Sequence, residues 1–450
     1  MACATLVLSL QARADSPKVF QFALQNGMQV VVVPDHRAPV VTQMLWFRVG
    51  GVDDPPGISG LAHFFEHMMF RGTKAVPGEG FAQTIARNGG VDNAETTHDY
   101  TLFYEQIAKD RLPLAMQLEA DRMVNLDLSD TNVMTERNVV AEERRMRVDN
   151  DPQSMLGEQM SAQLYMGHPY GRPVIGWMEE IKHIDRLSAR DFYRHHYAPN
   201  NAILVLAGDI TPDEARKAAQ TGYGKVPARE LSPRWDFAQP PRMGETRLSV
   251  TRSDAKLPVM ARSYRVKSYT EARPGEAEAL EVYAALLGGD VNSTLYRKLV
   301  VEKKIAVEAG ASYDGMTRDS GEFSLYAVPR PGVSLEALER AMDAVIADQL
   351  ARPIDAAALT RTKTQLIASA IYRKDSQYAM AQAYGQALVI GLTVDDVDEW
   401  PARIRAVSAD AVRKAGASLN RREAVTAYLK PASALAPARR PPQKQASAKP

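Results

Sequence analysis

Apolar and polar positions alternate first at residues 20–24, and residues 28–33 are then almost continuously apolar. Asn26-Gly27 between them is a turn pair that tolerates positive φ, so 20–34 reads as a hairpin with a buried second strand. Another apolar run at 40–49 reads as a strand. Gly50-Gly51 and Pro55-Pro56-Gly57 break it, and Ser59 stands where an N-cap would open a helix over 61–70. A short helix is expected at 81–88, closed by Gly89-Gly90. Residues 91–106 have strand character, and 111–126 and 135–146 carry the helical period. A loop-rich segment around His168-Pro169-Tyr170-Gly171 precedes a helix at 188–197. A core strand at 202–208 and a helix at 211–219, capped by Thr211, complete this half.

Between 225 and 245 the periodicity stops, and Pro227, Pro233, Pro240 and Pro241 mark a linker. Beyond it come strands at 247–251 and 259–266, a helix at 277–287, Gly288-Gly289 and a helix at 293–302. Strands at 307–313 and 321–328, helices at 334–350 and 356–373, and a last strand at 423–429 follow. This order repeats the first half. The expected fold is α+β: two homologous α/β-sandwich halves, each a mixed sheet with helices packed on it, at 15–224 and 246–431.

Composition changes the picture little. Lys+Arg 55 against Asp+Glu 54 leaves a net charge of +1, which gives no footprint for nucleic acid. No apolar run reaches the roughly 18 residues of a membrane span. Residues 4–10 are apolar and Ala12-Arg13-Ala14 is a small-x-small site, so 1–14 reads as a secretory signal and the chain as periplasmic or otherwise exported. Cys3, the single cysteine, lies inside that segment. The mature chain then has no thiol for catalysis or metal binding. Residues 432–450, rich in Pro, Ala, Lys and Arg, read as a disordered tail.

The chemistry concentrates in His63-Phe64-Phe65-Glu66-His67. At about 100° per residue, with His63 at zero, Glu66 falls at about 300° and His67 at about 40°, so all three leave one helix face. Two imidazoles one turn apart suit one Zn²⁺, and the carboxylate between them suits proton transfer from a water. The order His-x-x-Glu-His is that of the inverted zincins. Further on, Glu136 and Glu143 are 143 − 136 = 7 residues apart, on one stripe and about 10 Å apart along the axis. One of them can complete the ligand set and the other can support it; the spacing leaves open which.

His63-x-x-Glu66-His67 with Glu143, together with Gly60-Leu61-Ala62-His63, Asn93-Ala94, Glu136-Arg137-Asn138-Val139-Val140, His168-Pro169-Tyr170 and Ala198-Pro199-Asn200-Asn201, resembles the pitrilysin and mitochondrial processing peptidase family over nearly the whole mature chain. The length resembles the shorter subfamily, whose subunits pair into a clamshell. The resemblance implies His63, His67 and Glu143 as ligands of one Zn²⁺ per chain, Glu66 as general base and Glu136 as supporting acid. Asn93 and Ala94 match the edge strand that holds a peptide substrate, and Phe70 the residue lining the site for the side chain after the scissile bond. It implies a zinc endopeptidase; the alternative is a non-catalytic assembly subunit. Active relatives carry an Arg and a Tyr seven residues apart after a Ser-x-Leu-Tyr segment. Counted from Ser293-Thr294-Leu295-Tyr296, those positions fall here on Val300 and Val307. This implies a heterodimer with a homologous subunit that supplies the pair, against a homodimer using other donors.

Overall fold

A computed structural model of the chain describes residues 18–432. The signal-like stretch at 1–14 and the tail beyond 432 lie outside the described residues. The alternating segments assemble into two sheets. The first contains β1 (Phe20–Ala23), β2 (Gln29–Pro34), β3 (Val40–Phe47), β4 (Val91–Thr96), β5 (Thr101–Ala108) and β6 (Ala202–Gly208), in the order β1-β2-β6-β3-β5-β4. The second contains β7 (Thr246–Arg252), β8 (Val259–Val266), β9 (Ala306–Asp314), β10 (Gly321–Pro329) and β11 (Val425–Pro431), in the order β7-β11-β8-β10-β9.

The two orders superimpose. In each half the last strand inserts between the first two of the repeat, parallel to one and antiparallel to the other. A hairpin then extends each sheet to an open edge, β4 in one and β9 in the other. The expected repeat is present, with β1 as an added edge strand on the first copy. The β1–β2 hairpin turns where expected, with Gly27 at φ 86.

Helices of the first half are α1 (Leu61–Met68), α2 (Gly80–Arg87), α3 (Leu112–Asn125), α4 (Asp130–Arg144), α5 (Pro152–Leu164), α6 (Met178–Ile181), α7 (Arg186–His196) and α8 (Pro212–Gly222). Those of the second are α9 (Glu276–Gly288), α10 (Leu335–Ala351), α11 (Ala356–Arg373), α12 (Gln377–Ile390), α13 (Val394–Ala406) and α14 (Ala409–Ala417). On one face of the first sheet, Leu45, Phe47 and Leu204 pack against Phe64 and Phe65 of α1 and Tyr193 of α7. Both phenylalanines are fully buried, and each stabilises the fold by about 1.5–3 kcal/mol. They alternate with the polar stripe of α1, so burying them aims His63, Glu66 and His67 outward along one line.

The other face of each sheet is covered by a helix from the opposite half. Met380, Ala381 and Tyr384 of α12 lie on Val31, Trp46 and Val205 of the first sheet. Leu156, Met160 and Leu164 of α5 lie on Val425, Ala427 and Leu429 of the second. Gly385 is a glycine because α12 lies directly on Trp46: a Cβ there would come within 2.7 Å of Cζ2 and closer still to Nε1 and Cε2. A polar clasp adds to this exchange. Tyr170 Oη donates to Asp99 (2.6 and 2.7 Å) and accepts from the amide of Asp319 (3.1 Å), and His168 Nε2 lies 2.9 Å from Asp319 Oδ2. Residues 225–245 form no regular element, but Arg234 pins them to Asp53 (2.8 and 3.0 Å).

Several local expectations are corrected. Ser59 does not cap α1. The cap is Gly60 at φ 89, pressed so close to Gly176 that a Cβ would meet its Cα at 2.9 Å. The orphan amides of Gly60 and Ala62 donate instead to the buried carboxylate of Asp54 (2.7 and 2.8 Å), and Ser59 Oγ accepts from Trp177 N. Residues 91–106 divide into two strands at a tight turn where Thr97 Oγ1 accepts from the amides of Asp99 and Tyr100. His98 belongs to this turn rather than to a strand, with Nε2 2.9 Å from Arg172 O. The helix expected at 135–146 begins at Asp130, capped by Ser129, and passes into a π-helical turn at Arg145–Asp149. The helix expected at 293–302 is largely a π-helical segment, Tyr296–Glu302. Helices α5, α6, α12, α13 and α14 are additional. A helix such as α12, buried on several sides, has no single apolar stripe to announce it.

Candidate metal centre

Helix α1 leaves the Asp54 cap and runs beneath the end of α4. His63 is buried, and His67 and Glu66 are half-buried. From α4 come Glu136 and Glu143, both buried. The two carboxylates approach opposite nitrogens of one imidazole. His67 Nδ1 lies 2.9 Å from Glu136 Oε1, and His67 Nε2 lies 3.0 Å from Glu143 Oε2. His63 Nε2 is 3.7 Å from the same Glu143 oxygen. Two turns of α4 are therefore spanned by the width of one histidine ring. This geometry decides between the two glutamates: Glu143 faces both histidines and Glu136 stands behind His67.

Among the described residues, His63, His67 and Glu143 form the one group of three or more His, Cys, Asp or Glu side chains able to hold a metal, their donor atoms all within 4.8 Å of one another. The set fits zinc. Two imidazoles and a carboxylate are catalytic-type ligands that leave a fourth position open. Donors at 2.0–2.1 Å from a tetrahedral zinc stand roughly 3.3 Å apart, and the 3.0 and 3.7 Å separations straddle that spacing. Glu143 Oε2 is buried and makes no hydrogen bond of normal geometry. His67 also has the carboxylate behind its distal nitrogen that metal-binding histidines generally require.

The charges agree with a cation site. Burial, with His67 alongside, pushes His63 down to about 4. Burial also opposes a charge on His67, but its contacts with the carboxylates of Glu136 and Glu143 outweigh it and push that ring up to about 9. The His67 contact holds Glu143 below the usual carboxylate range. Burial works against ionisation of Glu136, yet bonds from His67 and Arg71 bring its carboxyl below that range too. Burial raises the carboxyl of Glu66, opposed by the hydroxyl of Thr96 on β4.

Two supporting residues are additional to the sequence reading: Arg71, which binds Glu136, and Arg147, whose Nε lies 2.9 Å from Glu143 Oε1. Both arginines follow their site residue by one turn (71 − 67 = 4 and 147 − 143 = 4), which was the available signal. The other candidates stand apart from the cluster. Phe70 packs between Phe81 and Phe103, with the Arg122 guanidinium against all three rings. Asn93 and Ala94 lie on β4, whose outer edge is unpaired within the sheet. Val300 is buried and Val307 exposed at the edge strand β9.

Residues 29–177 match the insulinase family, peptidase family M16, and residues 183–366 match the peptidase M16 inactive domain. An uncharacterized zinc protease of Mycobacterium leprae is 32% identical over 328 residues, 71% of this chain and 71% of its own length. The chain belongs to peptidase family M16. Another M16 relative, zinc protease PqqE of Helicobacter pylori, is 29% identical over 430 residues, 95% of this chain and 96% of its own. A solved protease from Helicobacter pylori aligns with TM-score 0.86 at 27% identity, over 92% of this chain and 100% of that one. The first half of the periplasmic protease PqqL from Escherichia coli shares the fold, with TM-score 0.79 at 18% identity over 92% of each chain. The inactive-domain match runs from the end of the first half into the second, and no metal cluster occurs within it among the described residues.

Proposed function

We propose that this M16 chain is a zinc-dependent endopeptidase that hydrolyses peptides or unfolded polypeptide segments. The observation that carries this reading is the convergence of His63, His67 and Glu143 beside Glu66 and an open sheet edge. His63, His67 and Glu143 hold one Zn²⁺, and Glu136 fixes the tautomer of His67 through Nδ1. When bound, zinc supplies a Lewis acid that polarises a peptide carbonyl and makes water a nucleophile near neutral pH. Glu66 accepts the proton of the attacking water and returns it to the leaving amine. Backbone groups of Asn93 and Ala94 hold the substrate as an added strand, and Phe70 lines the site for the side chain after the scissile bond. Glu66→Gln tests the reading: zinc content should stay at one per chain while cleavage falls about 10²–10⁴-fold. Cleavage at near the wild-type rate would refute the mechanism.

This chain's second half would not supply side-chain donors to a substrate at such a centre. Val300 and Val307 stand where active relatives carry Arg and Tyr, and neither side chain donates a hydrogen bond. A homologous partner subunit then supplies that pair, and the complex acts in an exported compartment. Full activity of the isolated chain, unchanged when its co-purifying homologue is added, would exclude the heterodimer and favour a homodimer.

A further inference from the structure

The outer edge of β4 presents two different faces. Ala94 faces the helices and packs against the core that contains α1. Asn93 and Glu95 face the opposite way. Their cross-strand partners on β5 are Tyr104 and Leu102, which belong to the face covered by α12. There Tyr378, in the first turn of α12, meets Tyr104 edge-on with ring centroids 4.9 Å apart. Glu95 is exposed at this edge and, among the described residues, has no ion pair and no side-chain hydrogen bond. Its neighbours still crowd it, and burial raises its carboxyl above the usual range with no cation to offset it. Its charge reaches the hydroxyls of Tyr100 and Tyr378, and it reaches Glu66. Glu95 thus stands at an unpaired strand edge, within electrostatic reach of Tyr100 and Tyr378.

We propose that Glu95, with Tyr104 and Tyr378 beside it, is a specificity determinant that selects a lysine or arginine side chain in a peptide laid along β4. The inference rests on the reading of β4 as the strand that holds the substrate. On an added strand, the residue paired with Glu95 projects on the same face, with Cβ atoms roughly 4.5–5.5 Å apart. Opposite charges at such a pair attract, like charges repel, and a tyrosine face adds cation–π attraction. Together these effects amount to about a three- to tenfold preference for a basic over an uncharged side chain.

The test is fluorescence anisotropy of the full chain with labelled extended peptides that differ at one position, carrying Lys, norleucine or Glu. Wild type should bind the Lys peptide about three- to tenfold more tightly than the norleucine one, and the Glu peptide more weakly than either. Glu95→Gln should erase the Lys advantage, and Glu95→Lys should turn the preference toward Glu. Equal binding by wild type, a Lys advantage that survives in Glu95→Gln, or no binding of any extended peptide would overturn the proposal. Binding needs no turnover. Selection of Lys through Glu95 by a chain that does not cleave even with its co-purifying homologue added would refute the peptidase reading and leave this one standing.

Discussion

Gly385→Ala sets two known effects against each other. Alanine is favoured over glycine inside a helix by about 0.8–1.0 kcal/mol, so propensity alone predicts a more stable chain. The packing predicts the opposite. The new methyl would lie 2.7 Å from Trp46 Cζ2, where ordinary contact begins at 3.4 Å, a shortfall of 3.4 − 2.7 = 0.7 Å, and the overlap at Nε1 and Cε2 is worse. Trp46 cannot retreat: it is 0% exposed, on β3, a strand with β6 on one side and β5 on the other. Helix α12 must lift, loosening Met380, Ala381 and Tyr384 from the sheet. Overpacking of this kind costs about 1–3 kcal/mol. Toward the upper end, the net loss after the helix gain is about 2 kcal/mol. At about 2–4 °C per kcal/mol for a unit of some 200 residues, Tm should fall by about 4–8 °C. Calorimetry or buried-tryptophan fluorescence during heating reads this directly. An unchanged or higher Tm would show that α12 does not rest on Trp46 as described.

Two further outcomes are expected. Glu136→Gln keeps an acceptor for His67 Nδ1 but removes the charge shared with Arg71, and zinc affinity measured by chelator competition should fall about 10–100-fold. His196, buried against Phe192 with ring centroids 4.4 Å apart, is pushed down to about 4, chiefly by burial. Its folded value lies below its unfolded value, so its contribution is fully present above about pH 6.5 and is lost as pH falls toward 4. That is about 3 kcal/mol in all, and urea midpoints across this range should fall less steeply in His196→Gln than in wild type.

Much of the centre was legible because it is local. The 3.6-residue period alone puts His63, Glu66 and His67 on one face, and the structure keeps them there. Choosing between Glu136 and Glu143 required the position of the His67 ring, which two helices fix together and neither determines alone. The Asp54 cap was hidden because the helix start is set by the close passage of Gly60 and Gly176, 116 residues apart (176 − 60 = 116). The exchange of α5 and α12 was hidden for the same reason. Gly385 answers to Trp46 across 385 − 46 = 339 residues, and a glycine inside a helix reads locally as a weakness rather than as a contact surface.

The exchange of covering helices also sets an order of events during synthesis. Strand β6, ending at Gly208, completes the first sheet, but the face bearing Trp46 stays bare until α12, ending at Ile390, has been made. Those 390 − 208 = 182 residues take about 10–40 s at 5–20 residues per second. The second sheet waits longer, because β11 must enter between β7 and β8 before β7 has a partner. For that whole interval the nascent chain offers apolar sheet faces and unpaired edges, the surfaces that holding chaperones bind.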